Sequence, residues 1–371
     1  MDKRPYIVVT GAHGFIGNHI LEKLLMSDLG TLTEVGAGVT GEVSSKTAQV
    51  RFSQQTPTPN RVFDVWAVDL PESAVRQTAH RFAQSSRVKI VFLKDLMEKL
   101  HTMPHPPLAV IHNGACSSTV ERDPNVFAEL NLRSSQDLWT YCAEKQIPFV
   151  YASSAAVYGD GLLGFSDSLA QSAQYRPLNL YGQSKLDFDL WALAQSHTPS
   201  LWFGLRYFNV YGPFETHKGG QASMLMHGYQ QATRTGAIRL FKSNTQKYGD
   251  GEQLRDFVFV KDIVKITMFL LRMGLASSSR PASLKGGSGC FVNIGSGETR
   301  SWNELAAVVF AALSLPCRIE YIEIPENIAS QYQNYTCADL STLRSLGYDS
   351  PMTSLGEGGR EYVQKYLMRG L

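Results

Sequence analysis

No stretch of this sequence stays apolar for long enough to cross a bilayer. The longest such run, ITMFLL at 266–271, stops at Arg272, whereas a membrane-spanning helix needs about 20 residues. Cysteine is scarce: the five, at 116, 142, 290, 317 and 337, are odd in number and form no CxxC pair. That argues against a disulfide framework and suits reduced thiols in a cytosolic protein. A surplus of one charge is also missing. The 35 Lys and Arg against 33 Asp and Glu leave a net charge of +2, which implies no general attraction to nucleic acid or to a membrane surface. A secretory leader is not expected, because Thr10, His13 and three glycines break any apolar core in MDKRPYIVVTGAHGFIG. What is there, 371 residues that are 43% hydrophobic and 18% charged, suits a soluble, cytoplasmic globular protein with a full core and no metal.

Short apolar runs recur along the chain: YIVVT (6–10), VFDVWAVDL (62–70), KIVFL (89–93), LAVIHNGA (108–115), PFVYASSA (148–155) and SLWFGLRYF (200–208). Helix-length stretches separate most of them, among them AVRQTAHRFAQS, SSQDLWTYCAEKQ and the GFIGNHILEKLLMS that sets Ile16, Ile20, Leu24 and Leu25 at helical spacing. Buried strands alternating with amphipathic helices predict an α/β fold, a doubly wound parallel sheet with helices on both faces. Two regions break the rhythm. Residues 30–61, rich in Gly, Ser and Thr, read as a surface insertion that delays the second strand. Beyond about residue 208 the alternation loosens, although CFVNIGSG at 290–297 reads as one more sheet strand. The expected organisation is a dinucleotide-binding domain of residues 1–207 plus 256–297. A smaller α/β substrate-binding lobe would come from the non-contiguous segments 208–255 and 298–371.

VTGAHGFIG places Gly11, Gly14 and Gly17 between the first strand and first helix. Glycines there permit a tight turn and close approach of a pyrophosphate to the helix N-terminus. Asp69, ending the second strand, is placed to take an adenosine ribose hydroxyl, and Arg76 to meet a 2′-phosphate, so NAD and NADP both stay open. Asp95, after the third strand, is a candidate for the adenine. The small residues of HNGACSS would let the cofactor lie across the strand ends.

The fifth strand ends at Ser153 and Ser154, and Tyr181 and Lys185 follow 27 and 31 residues beyond Ser154. Tyr181 and Lys185 share one helix face. A tyrosine ordinarily titrates at about 10, too high for a base at neutral pH. A nearby ammonium and the cofactor's positive ring favour the phenolate, which can then take a substrate hydroxyl proton while hydride leaves.

TGAHGFIG, SSAAVYG, YGQSK and RYFNVYGP together resemble the extended short-chain dehydrogenase/reductase family, the NAD-dependent epimerases and dehydratases of nucleotide sugars. HNGACSST, PFVYASSAAVYG, RPLNLYGQSK, RYFNVYGPFETHKGG, RDFVFVKD and YQNYTCADLSTLRSLGYDSP narrow the likeness to a branch acting on ADP-heptose, with HKGG and GACSST the discriminating pieces. The resemblance implies a Rossmann domain, a tightly held NADP (NAD being the alternative) and redox-neutral inversion at the heptose C6 for lipopolysaccharide core supply. It also implies a homo-oligomer, often a pentamer.

Carried onto this chain, the likeness gives the cofactor Gly11, Gly14, Phe15, Ile16, Gly17, Asp69, Arg76, Asp95 and Lys99. Asn113, Gly114, Ala115, Cys116, Ser117, Asn131, Tyr181, Lys185, Val210 and Lys218 would line it further. Ser154, Tyr181 and Lys185 match the catalytic serine, tyrosine and its lysine partner, and Lys218 of HKGG the second acid–base group. Substrate contacts fall on Ser154, Asn209, Gly220, His227, Phe241, Lys242, Ser243, Asn244, Arg255 and Tyr332. The chain departs from the family pattern at Asn113, where an acidic residue is usual, and at Gly220, where a serine is. The loop before Arg255 is longer, and the 30–61 insertion has no recognised counterpart. Another nucleotide-sugar epimerase or dehydratase using NAD is the competing enzyme reading. A non-catalytic nucleotide-binding regulator would be expected to have lost part of Ser–Tyr–Lys, and all three are present.

Overall fold

The computed structural model describes residues 4–28, 30, 32, 62–72, 81, 82, 84–276, 284, 289–329 and 332–370. Apart from residues 30 and 32, the 30–61 insertion lies outside them, as do Arg76 and most of its helix-length stretch. Seven strands form one sheet: β1 (Tyr6–Thr10), β2 (Asp64–Asp69), β3 (Val88–Phe92), β4 (Ala109–His112), β5 (Phe149–Ser154), β6 (Trp202–Tyr207) and β11 (Gly289–Ile294). Their order is β11-β6-β5-β4-β1-β2-β3, and every pairing is parallel. This is the doubly wound α/β arrangement expected from the alternation, with 290–297 returning to the sheet as its outermost strand. The strands are a little shorter than the apolar runs, because the last residues of several runs turn off the sheet to build the site.

The sheet's two faces follow from the period of two along each strand. In β1, Tyr6 and Val8 point to one side and pack with Trp66, Val110 and Tyr151. Covering them are helices α2 (Leu93–Thr102), α3 (Ser134–Lys145) and α4 (Leu180–Leu193), through Leu96, Trp139 and Phe188. Ile7 and Val9 point the other way, onto Ile20 and Leu24 of α1 (Phe15–Leu25) and onto Met268 and Leu271 of α6 (Val260–Leu275). Burial on both faces explains why the strands read as continuous apolar runs. Edge strand β3 is the exception, with Ile90 and Phe92 exposed. Among the described residues no helix is long and apolar enough to cross a membrane, and no group of three metal-ligating side chains occurs.

The remaining elements gather beyond the C-terminal edge of the sheet. They include β7 (Asn209–Tyr211), α5 (Met224–Thr235), β8 (Ile238–Phe241), β9 (Leu254–Arg255), β10 (Phe257–Phe259), β12 (Arg300–Ser301), α7 (Trp302–Leu313), β13 (Ile319–Ile322) and α8 (Leu355–Lys365). β8 pairs with β13 in parallel, β7 with β10 in parallel and β9 with β12 antiparallel. A separate apolar cluster of Leu225, Ile238, Val309, Phe310, Tyr362 and their neighbours holds most of them together, and Phe15 from the start of α1 reaches into it.

Candidate active site

Strand order reverses between β1 and β4, which opens a crevice where doubly wound sheets bind their ligands. The glycine turn lies there. Gly11 has φ +63°, and a Cβ on it would stand 2.7 Å from the amide nitrogen of Gly114. A Cβ on Gly17 would stand 2.1 Å from the carbonyl oxygen of Gly11, so α1 can start this close to β1 only without a side chain. Asp69 accepts from the His13 amide at 2.9 Å and from Leu70 at 2.8 Å, pinning the turn to the end of β2. Asp95 and Lys99 sit one turn apart on α2, so Asp95 belongs to a helix rather than to the loop after β3.

The β4 end is held from several sides. Gly114 donates to the hydroxyl of Thr10, which is 2.6 Å from His112 Nδ1. Burial pushes the His112 imidazole down to about 3, so it stays neutral and bridges to Ser135 on α3 at 2.9 Å. Asn113 Oδ1 accepts from the Tyr207 hydroxyl at 3.1 Å, while its buried amide nitrogen has no acceptor among the described residues. A six-residue π-helical turn, Ala128–Arg133, aims Asn131 inward. Asn131 is 1% exposed; it accepts from the Cys116 amide at 2.7 Å and donates to Cys116 O and Ser184 Oγ at 2.9 Å. Both its amide hydrogens and its oxygen are thereby engaged within the protein. It shapes the crevice by fixing Cys116 against α4 rather than by presenting a free group. The glycine cradle, the Asp69 carboxylate and the orphaned Asn113 amide together fit a dinucleotide.

Tyr181 and Lys185 lie on α4, whose first turn is capped by Asn179 accepting from Gly182 at 2.8 Å. Lys185 is buried and donates from Nζ to the carbonyl of Ala152 on β5 at 2.9 Å. Burial lowers its ammonium to about 8, with Asp189 pulling the other way. Tyr181 is raised above its ordinary value by burial, and a hydrogen bond with Ser154 draws it back. Lys185 stands one turn along the same helix face from Tyr181, with its ammonium drawn to the β5 backbone. The two strand-end serines part company. Ser154 faces the tyrosine, whereas Ser153 turns under the sheet and donates to Asp189 at 3.0 Å.

Asp189, eight residues after Tyr181 on the same stripe of α4, was not singled out by the sequence reading. It is fully buried, accepts from Tyr151 at 2.9 Å and pairs with the equally buried Arg206 at 3.1 Å. Arg206 in turn lies over the Phe291 ring at 4.2 Å. The i, i+4, i+8 series Tyr181–Lys185–Asp189 was the available signal, since a carboxylate one turn beyond a buried lysine calls for a buried partner of its own.

Beyond Ser154 and Tyr181 opens a cavity of about 1130 Å³, walled also by Asn209, Arg255, Tyr332 and Gln333. That is ample for a nucleotide sugar, since small-ligand pockets run from about 300 to 1,000 Å³. Arg255 is 5% exposed; its guanidinium lies 5.5 Å from the Trp302 ring and 5.2 Å from that of Tyr332, and donates to Leu254 O. No carboxylate among the described residues pairs with it within 4.0 Å. Its neighbour Asp256 accepts instead from Ser296, Gly297 and Ala338. Asn209 commits its amide nitrogen to Asp256 O and Thr336 Oγ1, leaving its oxygen as the group it can offer a ligand. Gln333 spans the cavity to the carbonyl of Gly159, a contact that sequence reading missed.

Other expected ligand contacts scatter more widely. Phe241 abuts Tyr332 edge-on at 5.8 Å, but Lys242 turns outward to Glu323 at 2.6 Å and Ser243 binds Asp250 through its amide. His227 is half-buried on α5 and is not part of the cavity wall. Val210 sits in β7, packed between two apolar clusters. Lys218 and Gly220 belong to the 3₁₀ segment Thr216–Gln221. Lys218 lies outside the cavity wall, with Nζ 5.3 Å from the centre of the Phe15 ring beside the glycine turn. Burial lowers its pKa and Glu215 opposes the shift. Gln221, with its amide oriented to suit its neighbours, joins this segment to Ser117, Ser118 and Thr119 across the crevice.

The NAD dependent epimerase/dehydratase family matches residues 7–280 of this chain. An ADP-L-glycero-D-manno-heptose-6-epimerase of Fusobacterium nucleatum subsp. nucleatum is 43% identical over 269 residues, which is 70% of this chain and 77% of the relative. An enzyme of the same name from Nitratidesulfovibrio vulgaris is 44% identical over 259 residues, 70% of this chain and 76% of the relative. Among solved structures, that of Helicobacter pylori ADP-L-glycero-D-manno-heptose-6-epimerase is alike with a TM-score of 0.70, covering 100% of this chain and 97% of that one. At 22% identity the likeness is one of fold. The glycine turn, the Ser154–Tyr181–Lys185 geometry and identity maintained over seven-tenths of the sequence agree: this chain belongs to the NAD dependent epimerase/dehydratase family.

Proposed function

We propose that the protein inverts C6 of ADP-D-glycero-β-D-manno-heptose to give the L-glycero epimer, using bound NADP, for lipopolysaccharide core heptose supply. The observation that carries this reading is the pairing of two features in one cavity. A buried arginine with no carboxylate partner lies on one wall, and Ser154 beside Tyr181 lies on another. Arg255, pressed between aromatic rings, offers a planar fork that matches a diphosphate. Tyr181 takes the C6 hydroxyl proton while Ser154 holds the oxygen, and the Lys185 ammonium lies behind them. When bound, the nicotinamide supplies a hydride acceptor that returns what it takes, so no net oxidation occurs. Inversion also needs a proton donor on the opposite face of the resulting ketone, and Lys218 is that group. Asp69 and the glycine turn hold the adenosine half, with Arg76 meeting the 2′-phosphate.

The same proposal covers the division into a cofactor unit (1–207 plus 256–297) and a substrate lobe (208–255 plus 298–371), a cytoplasmic location, and a homo-oligomer, with a pentamer as the state to look for by light scattering. The deciding experiment incubates the protein with the D-glycero substrate, without added cofactor, and follows C6 stereochemistry by NMR. Conversion to the L-glycero epimer is expected. Unchanged heptose alongside turnover of a UDP-hexose would instead assign the site to another nucleotide sugar. Identifying the dinucleotide released on denaturation separates NADP from NAD.

A further inference from the structure

The loop bearing Lys218 leaves β7 at Gly212 and enters α5 after Ser223. Both of its ends are tied to one side chain. Glu215 is fully buried; its carboxylate accepts from the Ser223 amide at 2.6 Å, the Ser223 hydroxyl at 2.5 Å and the Gly212 amide at 3.4 Å. A buried carboxylate is an expensive choice for a clasp, because neutral groups close loops without losing ionic hydration. No cation pairs with Glu215 within 4.0 Å among the described residues, and burial raises its pKa. The cation that acts on it is Lys218, three residues on.

The acid is therefore both the closing point of the loop and the charged group acting on the amine at its tip. The loop holds Lys218 to Glu215 through its backbone, the Lys218 amide donating to the Glu215 carbonyl at 3.0 Å, and from α1 the Lys218 amine faces the uncharged Phe15 ring. From α8 the Tyr362 phenol stands near Glu215; burial first, and the acid second, raise its pKa and keep it protonated. The rest of the loop has its own anchors. The Pro213 carbonyl is 3.0 Å from His19 Nε2 on α1, and Phe214, at φ +67°, lies under the Arg81 guanidinium at 3.9 Å.

We propose that Glu215 is a positioning residue for Lys218: it shuts the Gly212–Ser223 loop and keeps the Lys218 amine charged and in place. This rests on the reading of Lys218 as the second acid–base group, and the test separates the two. Glu215→Gln keeps the shape but removes the charge and cannot accept from all three donors. With ADP-heptose, kcat should fall about 10- to 100-fold, as for a misplaced catalytic group, while KM changes little. Tyr181-dependent hydride removal survives, so absorbance of the reduced nicotinamide near 340 nm builds up during turnover. Independently of turnover, trace acetylation with acetic anhydride at fixed pH, read by mass spectrometry against Lys145, should modify Lys218 several-fold faster.

Glu215→Asp should return the acetylation rate toward wild type. Ser223→Ala, which loosens the clasp and keeps the charge, should lower kcat without changing that rate, and it carries the test if Glu215→Gln fails to fold. Wild-type kcat and wild-type acetylation in Glu215→Gln would overturn the proposal, as would a loss of kcat with acetylation unchanged in that variant. If Lys218→Met still inverts C6, the acid–base reading of Lys218 fails, while the acetylation result still decides whether Glu215 governs the amine.

Discussion

Lys185 stores strain that its removal should release. The residue is 7% exposed, and burial lowers the pKa of its ammonium from an ordinary 10.5 to about 8. The difference corresponds to about 3 kcal/mol of burial penalty on the charged form at 1.36 kcal/mol per pH unit. Lys185→Met removes that penalty and keeps most of the apolar stem. It also strips the Ala152 carbonyl of its donor, which costs about 1–3 kcal/mol. Together these predict a variant that is at least as stable as wild type, by about 0–2 kcal/mol, and that is catalytically crippled. Urea unfolding of cofactor-free protein at pH 7, with equal m-values, measures the first; C6 inversion measures the second.

The pH dependence gives an independent check with a definite sign. The folded state holds this proton less tightly than the unfolded chain, so between pH 8 and 10.5 the unfolded chain carries more protons. Stability attributable to this site therefore rises with pH across that window. The wild type should gain on Lys185→Met as pH climbs from 8 toward 10.5. A variant less stable than wild type by more than about 2 kcal/mol, with no convergence above pH 8, would refute the reasoning. The Lys185 ammonium would then be well satisfied by its surroundings rather than strained by burial.

Tyr181→Phe and Lys218→Met should each abolish detectable inversion while leaving cofactor content and unfolding midpoint near wild type; near-normal epimerisation by either variant would sink the two-base assignment. Arg255→Leu should weaken binding of the ADP-sugar by about 10- to 100-fold, the worth of a charge-assisted hydrogen bond of about 1.5–3 kcal/mol, and calorimetry showing less than about a threefold change would remove it from the diphosphate site. Asp189→Asn leaves Arg206 buried without its counter-ion, so unfolding free energy should drop by about 3–5 kcal/mol; a loss below about 1 kcal/mol would mean the aromatic rings around Arg206 suffice.

Much of the architecture was legible because local signals agreed with the global fold. β1, β4 and β5 are buried on both faces, so their apolar runs admitted one reading, and the glycine turn carries its own reason in the Gly11–Gly17 approach. The chemistry on α4 was legible because a helix converts spacing four into contact. What escaped depends on distance in sequence. Asn131 meets Cys116 and Ser184 only after a π turn that no periodicity announces. Arg206 finds Asp189 across two elements, and Gln333 reaches Gly159 from 174 residues away. Lys218 shows the limit from the other side: the family motif names it, yet its place against Phe15 comes from a loop closed by Glu215, and sequence spacing carries no sign of that closure.

The π turn at Ala128–Arg133 has a consequence for how this sequence can change. It lies inside one continuous helical stretch from Pro124 to Lys145, and it takes up one residue more per turn than its α-helical flanks. Deleting a single residue there would let the wide turn close into ordinary α-helix, with i→i+4 bonds replacing the wider ones. It would also rotate the upstream flank against α3 by about 100°, one residue's share of a turn, carrying Asn131 off Cys116 or Trp139 off the core. Substitution can therefore explore this segment freely on its outer face, while its length is fixed, because here the count of residues, more than their kind, aims the side chains.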